Sequence, residues 1–263
     1  MRTVVVTYIA AILSMLCLLS CSHADTLLPE LEYIAHAGGA VDGHVYTNSK
    51  EAMEQAATGG YKYVEFDFLM TADSVLVAAH TWEDFNAMTG HSHKKDTVPT
   101  LQEFLTRRIY GKYTPLTAKD INNFFVTNKN LYLVTDKISD ADILEHYFPD
   151  IKNRMVVEAF CYSHYDDLLS RGYHRVLYSC MAQDLADALV KHLFLHFFYK
   201  GERIEWITLH TSAFDNALFK IVDLFGGYKA ALFTVNDTAD IPKQYRENIY
   251  MIYTDTLRNR LNP

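Results

Sequence analysis

Short apolar runs alternate with helix-like segments along most of the chain. The runs are rich in β-branched or aromatic residues and are bounded by polar residues or glycine, which predicts strands. The predicted strands are LEYIAH (31–36), YKYVEFDF (61–68), LYLVTD (131–136), RMVVEAF (154–160), HRVLYS (174–179), RIEWITL (203–209), YKAALFTV (228–235) and NIYMIYT (248–254). Eight strands, each followed by a helical pattern, predict an α/β protein folded as a closed (β/α)₈ TIM barrel.

Helical spacing predicts helices between the strands. Two of them open on a serine N-cap, at Ser49 for 49–59 and at Ser139 for 139–148, and two more cover 184–199 and 212–225. VLVAAH (75–80) predicts a short additional strand after the second one, and 82–130 is expected to be one long irregular insertion above the barrel. An open doubly wound sheet is the alternative, but HAGG after the first strand is not the glycine pattern of a dinucleotide site.

The N-terminus predicts export. Met1 and Arg2 precede an apolar stretch that is too short to span a bilayer comfortably and is placed like the core of a signal peptide. It ends in Leu-Leu-Ser before Cys21, which resembles a bacterial lipobox, so we expect 1–21 to be a signal segment and Cys21 to be lipidated. Ordinary cleavage near Ala24 is the alternative. A lipidated chain would be a membrane-anchored lipoprotein facing the periplasm or cell exterior, and otherwise a secreted or periplasmic protein.

The remaining residues, 25–263, suit one large domain. The net charge of −8 and a pI near 5.8 exclude a basic surface for nucleic acid. Cys161 and Cys180 could pair in an oxidising compartment or stay as free thiols. Neither C-x-x-C nor H-E-x-x-H spacing occurs, which argues against a zinc site. The oligomeric state is not predicted.

Four consecutive segments end in groups that can do chemistry. Catalytic residues of such barrels lie at the carboxyl ends of the strands, where this chain places His36, Glu65 with Asp67, His80, and Asp136 with Lys137. Glu65 and Asp67 are two residues apart and therefore point to the same side of a strand. Two inward carboxylates repel unless a cation joins them, and paired oxygens suit Mg²⁺ or Ca²⁺.

His36 and His80 are the candidate proton carriers, because imidazole titrates near neutral pH and each of them closes an apolar strand. Two other histidine pairs are assigned no role in catalysis. His91 and His93 are expected in a solvated loop, and His192 and His196 are expected to pack on a helix.

The motifs resemble glycerophosphodiester phosphodiesterases, within the superfamily of phosphatidylinositol-specific phospholipase C-like barrels. The resemblance rests on the order of IAHAGG, the Asn-Ser at 48–49, VEFDF, LVAAH, PTLQEFL, LYLVTDK, ALFTVND and YMIYTDTL, and it covers roughly residues 31–257. It implies a phosphoric diester hydrolase acting on a small or lipid-derived phosphodiester. His36 and His80 would be its acid/base pair, with Glu65 and Asp67 as two ligands of one divalent metal.

Three departures from the family pattern bear on the site. The usual H-R-G is His36-Ala37-Gly38, so the phosphate-binding arginine is absent. The usual P-E-N-T is Tyr46-Thr47-Asn48-Ser49, so the nearby glutamate is absent too. Because both charges are lost together, neither is left unpaired. Lys137 and Asn48 are then the expected phosphate contacts.

The third departure concerns the remaining metal ligand, since the residue two before the lysine is Thr135. A bulge or the strand end could turn Asp136 towards the ion. Glu158 is the alternative ligand, and water could also complete the coordination of Mg²⁺ if Asp136 faces outward. Trp82 and Asn236 are possible contacts on the alcohol side.

The leading function is metal-dependent hydrolysis of glycerophosphodiesters to an alcohol and glycerol 3-phosphate. One alternative is a phospholipase D-like or sphingomyelinase-like activity on lipid head groups. The other is a non-catalytic envelope lipoprotein that binds its ligand without turning it over.

Overall fold

A computed structural model describes residues 30–91, 97–180, 204–215 and 228–258. Its strands are β1 (Glu32–Ala35), β2 (Tyr63–Met70), β3 (Leu76–Ala78), β4 (Tyr132–Asp136), β5 (Met155–Ala159), β6 (Val176–Cys180), β7 (Trp206–His210), β8 (Lys229–Phe233) and β9 (Ile249–Thr254). Its α-helices are α1 (Lys50–Thr58), α2 (Trp82–Met88), α3 (Leu101–Thr106), α4 (Ala118–Thr127), α5 (Ala141–Tyr147) and α6 (Tyr162–Ser170). Short 3₁₀ turns cover His36–Gly38, Lys152–Arg154, Thr211–Asp215, Thr238–Asp240 and Lys243–Asn248.

Eight parallel strands close on themselves, because β1 pairs in parallel with both β2 and β9. The intervening order is β9-β8-β7-β6-β5-β4-β2. The predicted (β/α)₈ barrel is confirmed, and the open sheet is excluded. The additional strand predicted at 75–80 is β3, which pairs antiparallel with β2 through Leu69 and Val77.

Alternation along each strand divides the core into two layers. On β2, Val64 and Phe66 point outwards and pack under the helices, whereas Tyr63 belongs to a separate cluster inside the barrel with Ile34 and Val134. Each fully buried side chain of this size contributes roughly 1.5–3 kcal/mol. On β2, the inward positions that follow Tyr63 towards the carboxyl end are Glu65 and Asp67.

The expectation of one irregular insertion over 82–130 was wrong, because α2, α3 and α4 lie in this segment. Each helix begins at a threonine N-cap: Thr81, Thr100 and Thr117. Thr100 and Thr117 form capping boxes with Glu103 and Asp120. The helices α2 and α3 have only seven and six residues, too few to show a clear hydrophobic period, so their caps were the available signal in the sequence.

The cap predicted for the helix at 139–148 also needs correction. Asp140, not Ser139, is the N-cap, and its Oδ1 accepts a hydrogen bond from Ile143 N at 3.1 Å. The hydroxyl of Ser139 is instead bonded to Nδ1 of His164 at 2.7 Å. An aspartate competes well for the same capping role, since its carboxylate also favours the positive end of the helix.

Some predictions fall outside the described residues. These are the signal segment with Cys21, the helix at 184–199 with His192 and His196, most of the helix at 212–225, and His93. Cys161 and Cys180 are both described, and neither is part of a disulfide. No helix in the described ranges combines the length and apolarity needed to cross a membrane.

Candidate active site

Three carboxylates meet at the carboxyl ends of β2 and β4. The oxygens of Glu65, Asp67 and Asp136 lie within 4.8 Å of one another. Asp67 is opposite Asp136 in the parallel pairing, and Glu65 is opposite Val134. Glu65 and Asp67 are each only 1% exposed, so their charges are placed where water cannot balance them.

Asp136 reaches this cluster from the end of its strand, which is the second of the two expected routes, and no bulge is involved. The pairing of β4 with β2 is regular through Asp136, and Val134 faces the barrel interior, so alternation directs Asp136 inwards as well. The irregularity lies at Lys137, whose φ of +65° is left-handed. This turn keeps the lysine at the site, with Nζ 3.5 Å from Asp67 Oδ1 and 3.9 Å from Asp136 Oδ2.

Glu158, the alternative ligand, lies outside this three-carboxylate cluster. It ends its strand inside the same cavity and accepts a short hydrogen bond from the hydroxyl of Tyr253. Burial, and then the charge of Asp136, raise the pKa of Glu158 well above its usual range. It adds a fourth carboxyl group beside the cluster.

The cluster fits a divalent cation. Glu65 Oε2 accepts a hydrogen bond from Ala37 N at 2.6 Å, but Glu65 Oε1 is buried with no hydrogen-bond partner. Burial raises the pKa of Glu65 strongly, and the charges of Asp67 and Asp136 add to the shift. Burial and Asp67 likewise raise the pKa of Asp136 to about 6. A hard ion bound by these oxygens would remove both the repulsion and the unsatisfied atom.

His36 is nearly buried at the end of β1. Its Nδ1 lies 3.0 Å from Asp255 Oδ1, and the other oxygen of Asp255 accepts a hydrogen bond from Asn236 Nδ2 at 2.7 Å. Burial acts to raise the pKa of Asp255, but the bonds to His36 and Asn236 lower it overall. Because an ionised carboxylate only accepts, His36 carries its proton on Nδ1 and presents Nε2 as the basic nitrogen.

The two glycines behind His36 allow the chain to turn under α1. Gly38 has φ +85°, and a Cβ atom there would lie 2.9 Å from the Cβ of Ala52. Glycine is therefore required in HAGG because the end of the first strand and α1 approach each other closely there.

His80 is the more exposed of the two imidazoles, with 32% of its side chain accessible. Its Nδ1 lies 2.7 Å from Asp84 Oδ2, which also accepts from the Thr81 hydroxyl at 2.6 Å. Burial acts to raise the pKa of Asp84, but these bonds lower it overall. Both predicted proton carriers are thus oriented by an aspartate.

Three other predicted contacts take different positions from those expected. Asn48 is fully buried and makes two hydrogen bonds with Asp67. Its Nδ2 donates to Asp67 Oδ2 at 2.9 Å, and its Oδ1 accepts from the backbone N of Asp67 at 3.1 Å. Asn236 is committed to Asp255, and Trp82 packs against Phe85 and Phe104. Asn48 therefore orients a carboxylate instead of lying free for phosphate, and neither Asn236 nor Trp82 is among the described residues that line the cavity.

The cavity enclosed by these groups has a volume of about 260 Å³, which suits a small molecule or a head group. Its described lining is His36, Tyr46, Glu65, Asp67, His80, Asp136, Lys137, Glu158, Phe160, Ser179, Phe233 and Tyr253. Sequence reasoning missed Tyr46 and the orienting roles of Asp255 and Asp84. The Thr81-x-x-Asp84 spacing, which is typical of a helix start, was the available signal for Asp84.

Fold and site together define a (β/α)₈ barrel with two aspartate-bound histidines beside a cluster of carboxylates. A model of the glycerophosphoryl diester phosphodiesterase family matches residues 36–189, more than half of the chain. The chain therefore belongs to this family, and the prediction of a phosphoric diester hydrolase is confirmed.

Solved structures agree on the fold. A glycerophosphodiester phosphodiesterase from Parabacteroides distasonis is 18% identical, with a TM-score of 0.60 over 87% of this chain and 94% of that one. The enzyme from Thermotoga maritima is 16% identical, with a TM-score of 0.60 over 88% and 96%. A phosphodiesterase from Oleispira antarctica, in complex with the product sn-glycerol-3-phosphate, is 18% identical, with a TM-score of 0.56 over 87% and 93%. The comparison with curated proteins gave no match.

Proposed function

We propose that this protein hydrolyses glycerophosphodiesters to an alcohol and sn-glycerol 3-phosphate, using one divalent ion, Mg²⁺ or Ca²⁺, and two histidines. The observation that carries the proposal is the buried, unpartnered Glu65 Oε1 in a carboxylate cluster beside two aspartate-bound imidazoles. The product bound to the Oleispira antarctica phosphodiesterase supports the choice of substrate class.

Glu65, Asp67 and Asp136 would hold the ion. When bound, it would supply positive charge against the phosphoryl oxygens as charge develops there. Lys137 adds a second positive charge at the same side of the cavity, and Asn48 keeps Asp67 in place.

His36 would act as the general base. The Asp255 bond leaves Nε2 as the basic nitrogen, and a base at this cavity wall would take the proton of the attacking oxygen, either of water or of the substrate's own glycerol hydroxyl. His80 would act as the general acid and protonate the leaving oxygen. Because His80 is more exposed than His36, the alcohol formed there could leave towards solvent. Asp84 would stabilise the charged form of His80 before it gives up its proton.

The decisive experiment is alcohol release from a panel of glycerophosphodiesters by the purified protein, with Mg²⁺, with Ca²⁺ and with chelator. We expect metal-dependent turnover that His36→Ala and Glu65→Gln abolish, while His146→Ala, a histidine on α5 outside the cavity lining, keeps it. Hydrolysis of intact phospholipids or sphingomyelin alone would favour the phospholipase D-like function. A folded protein without any turnover would favour the binding lipoprotein.

A nitrophenyl phosphodiester separates the two histidine roles. An activated leaving group needs little protonation, so His80→Ala should lose much less activity on this substrate than on an alkyl diester. His36→Ala should lose activity equally on both, and the reverse pattern would exchange the assignments.

We also propose that the protein is exported and tethered to a membrane through a lipidated Cys21, with 25–263 as one domain. The apolar stretch before Leu-Leu-Ser-Cys supports this proposal. Labelling with a fatty-acid analogue should mark the full chain and fail with Cys21→Ala, and an unlabelled protein in the soluble fraction would contradict anchoring.

A further inference from the structure

Tyr46 stands between the two imidazoles of the candidate active site. Its ring centroid lies 4.6 Å from that of His36 and 4.8 Å from that of His80, and the residue lines the cavity. Its φ of +57° is left-handed, which costs a bulky residue about 1–2 kcal/mol. Such a conformation persists only where the surroundings enforce it, and it is found preferentially at functional sites.

The surroundings that enforce it lie over the position of the missing arginine. Ala37 is fully buried, and its carbonyl accepts a hydrogen bond from Asn48 N at 3.2 Å. Asn48 is in turn held by its two bonds to Asp67. The segment from Tyr46 to Asn48 therefore covers the space beside Ala37 and fixes the phenol at the cavity wall.

The hydroxyls of the cavity are unequally available. Among the described lining residues, Tyr46, Ser179 and Tyr253 carry a hydroxyl. The hydroxyl of Tyr253 donates a hydrogen bond to Glu158, and Ser179 also interacts with Glu158. The hydroxyl of Tyr46 interacts with the side chain of Thr234. A phenol oxygen can accept one hydrogen bond and donate another, so Tyr46 can still donate its proton to a ligand.

The carboxylates around the cavity keep Tyr46 in its neutral form, which can donate a hydrogen bond. Lys137 is the single lysine or arginine among the described lining residues, against four carboxylates. Burial raises the pKa of Tyr46, and the charges of Asp255, Asp67 and Glu65 add to the shift. The phenol therefore keeps its proton at neutral pH and can donate it in a hydrogen bond.

We propose that the hydroxyl of Tyr46 donates a hydrogen bond to a phosphoryl oxygen of the substrate, at the place where the family's arginine is absent. Phosphate recognition in this chain would then combine the metal and Lys137 with a neutral phenol. The inference deepens the proposed hydrolysis and rests on it for the identity of the substrate.

The test compares Tyr46→Phe with wild type in two independent measurements. The first is the affinity for sn-glycerol 3-phosphate in the presence of Ca²⁺ or Mg²⁺, and we expect the Kd to rise about 10- to 100-fold, as for loss of a hydrogen bond to a charged group. The second is the ultraviolet difference spectrum of the tyrosines on adding this ligand, whose main band should disappear in the variant.

Tyr110→Phe is the matched control. Tyr110 is also left-handed, with φ +51°, and stacks on a histidine, His44, with 4.1 Å between centroids, but it is outside the cavity lining. This variant should keep both the wild-type Kd and the difference band.

The outcomes separate this inference from the proposed function. If wild type binds sn-glycerol 3-phosphate through Tyr46 but hydrolyses no diester, the hydrolysis is wrong and the phenol contact stands. If turnover and Kd are both unchanged in Tyr46→Phe, or wild type does not bind the ligand at all, the phenol contact is overturned.

Discussion

The same strands form both ends of the barrel, but charged side chains are paired at the amino ends and repel one another at the carboxyl ends. At the amino ends, Lys62 Nζ pairs with Glu32 Oε1 at 2.7 Å, and the guanidinium of Arg175 bonds the hydroxyl of Tyr63 and lies 5.5 Å from the ring centre of Tyr132. Burial acts to raise the pKa of Glu32, but its bonds with Lys62 and Tyr63 lower it overall. Every one of these charges has a partner within the protein.

At the carboxyl ends the balance is reversed. Burial and mutual repulsion raise the pKa of Glu65 and of Asp136, and Glu65 Oε1 has no partner. The charges at the amino end are balanced within the protein, whereas the carboxylates at the other end repel one another and leave one buried oxygen without a hydrogen-bond partner. This difference alone indicates that the functional site lies at the carboxyl ends of the strands. It also predicts that substitutions at the amino ends change stability and that substitutions at the carboxyl ends change activity.

Glu65→Gln should give the largest effect. It removes a ligand but keeps the shape of the side chain, so kcat/KM should fall about 10³-fold or more. In chelator the free energy of unfolding should stay the same or rise, because one of the repelling charges is gone. Turnover assays and thermal unfolding of the same preparation test both statements. A destabilised variant would contradict the claim that the carboxylates repel one another.

The pH dependence of stability in chelator should show the repulsion within the carboxylate cluster. The pKa of Asp136 is about 6 in the folded protein against a usual value of 3.8, so the folded state holds this proton more tightly than the unfolded state. The contribution of Asp136 to stability is therefore greatest below pH ~4, falls as pH rises to ~6, and is then lower by about 3 kcal/mol.

Urea unfolding in chelator at about pH 4 and about pH 7 measures this loss. Asp136→Asn should flatten the dependence, and adding Ca²⁺ or Mg²⁺ should restore stability at the higher pH. The same pH dependence in wild type and Asp136→Asn in chelator would refute the account.

Arg175→Met tests the amino end. It removes the hydrogen bond to Tyr63 and the contact with two aromatic rings, at 5.7 and 5.5 Å, and should cost about 2 kcal/mol of stability. With the metal present, kcat/KM should remain at the wild-type value. Lys112→Met, which breaks the exposed ion pair with Asp42, is the control and should change stability by less than about 1 kcal/mol.

Asn236→Ala should give the smallest effect. Asn236 touches neither the cavity nor the carboxylate cluster but orients Asp255, and through it His36, so it is a positioning residue. We expect kcat to fall about 10-fold with little change in KM, together with a shifted pH profile of kcat. Asn128→Ala, which removes an amide at the end of α4, should leave both unchanged.

The sequence by itself determined the features that depend on a short-range period. Alternation along 61–68 placed Glu65 and Asp67 on one face and Val64 and Phe66 on the other, and eight such runs predicted the closed barrel. The order of the motifs then predicted the family. These conclusions held because the direction of a side chain on a strand follows from its position alone.

Only the tertiary structure decided which polar groups pair. The regular register of β2 with β4 brought Asp136 to Glu65 and Asp67, and the left-handed turn at Lys137 kept that cation beside them. Partners more than 200 residues apart, such as His36 and Asp255, meet through closure of the barrel. Such pairings depend on strand register and on loop dihedral angles, which a local pattern of apolar and polar residues does not encode.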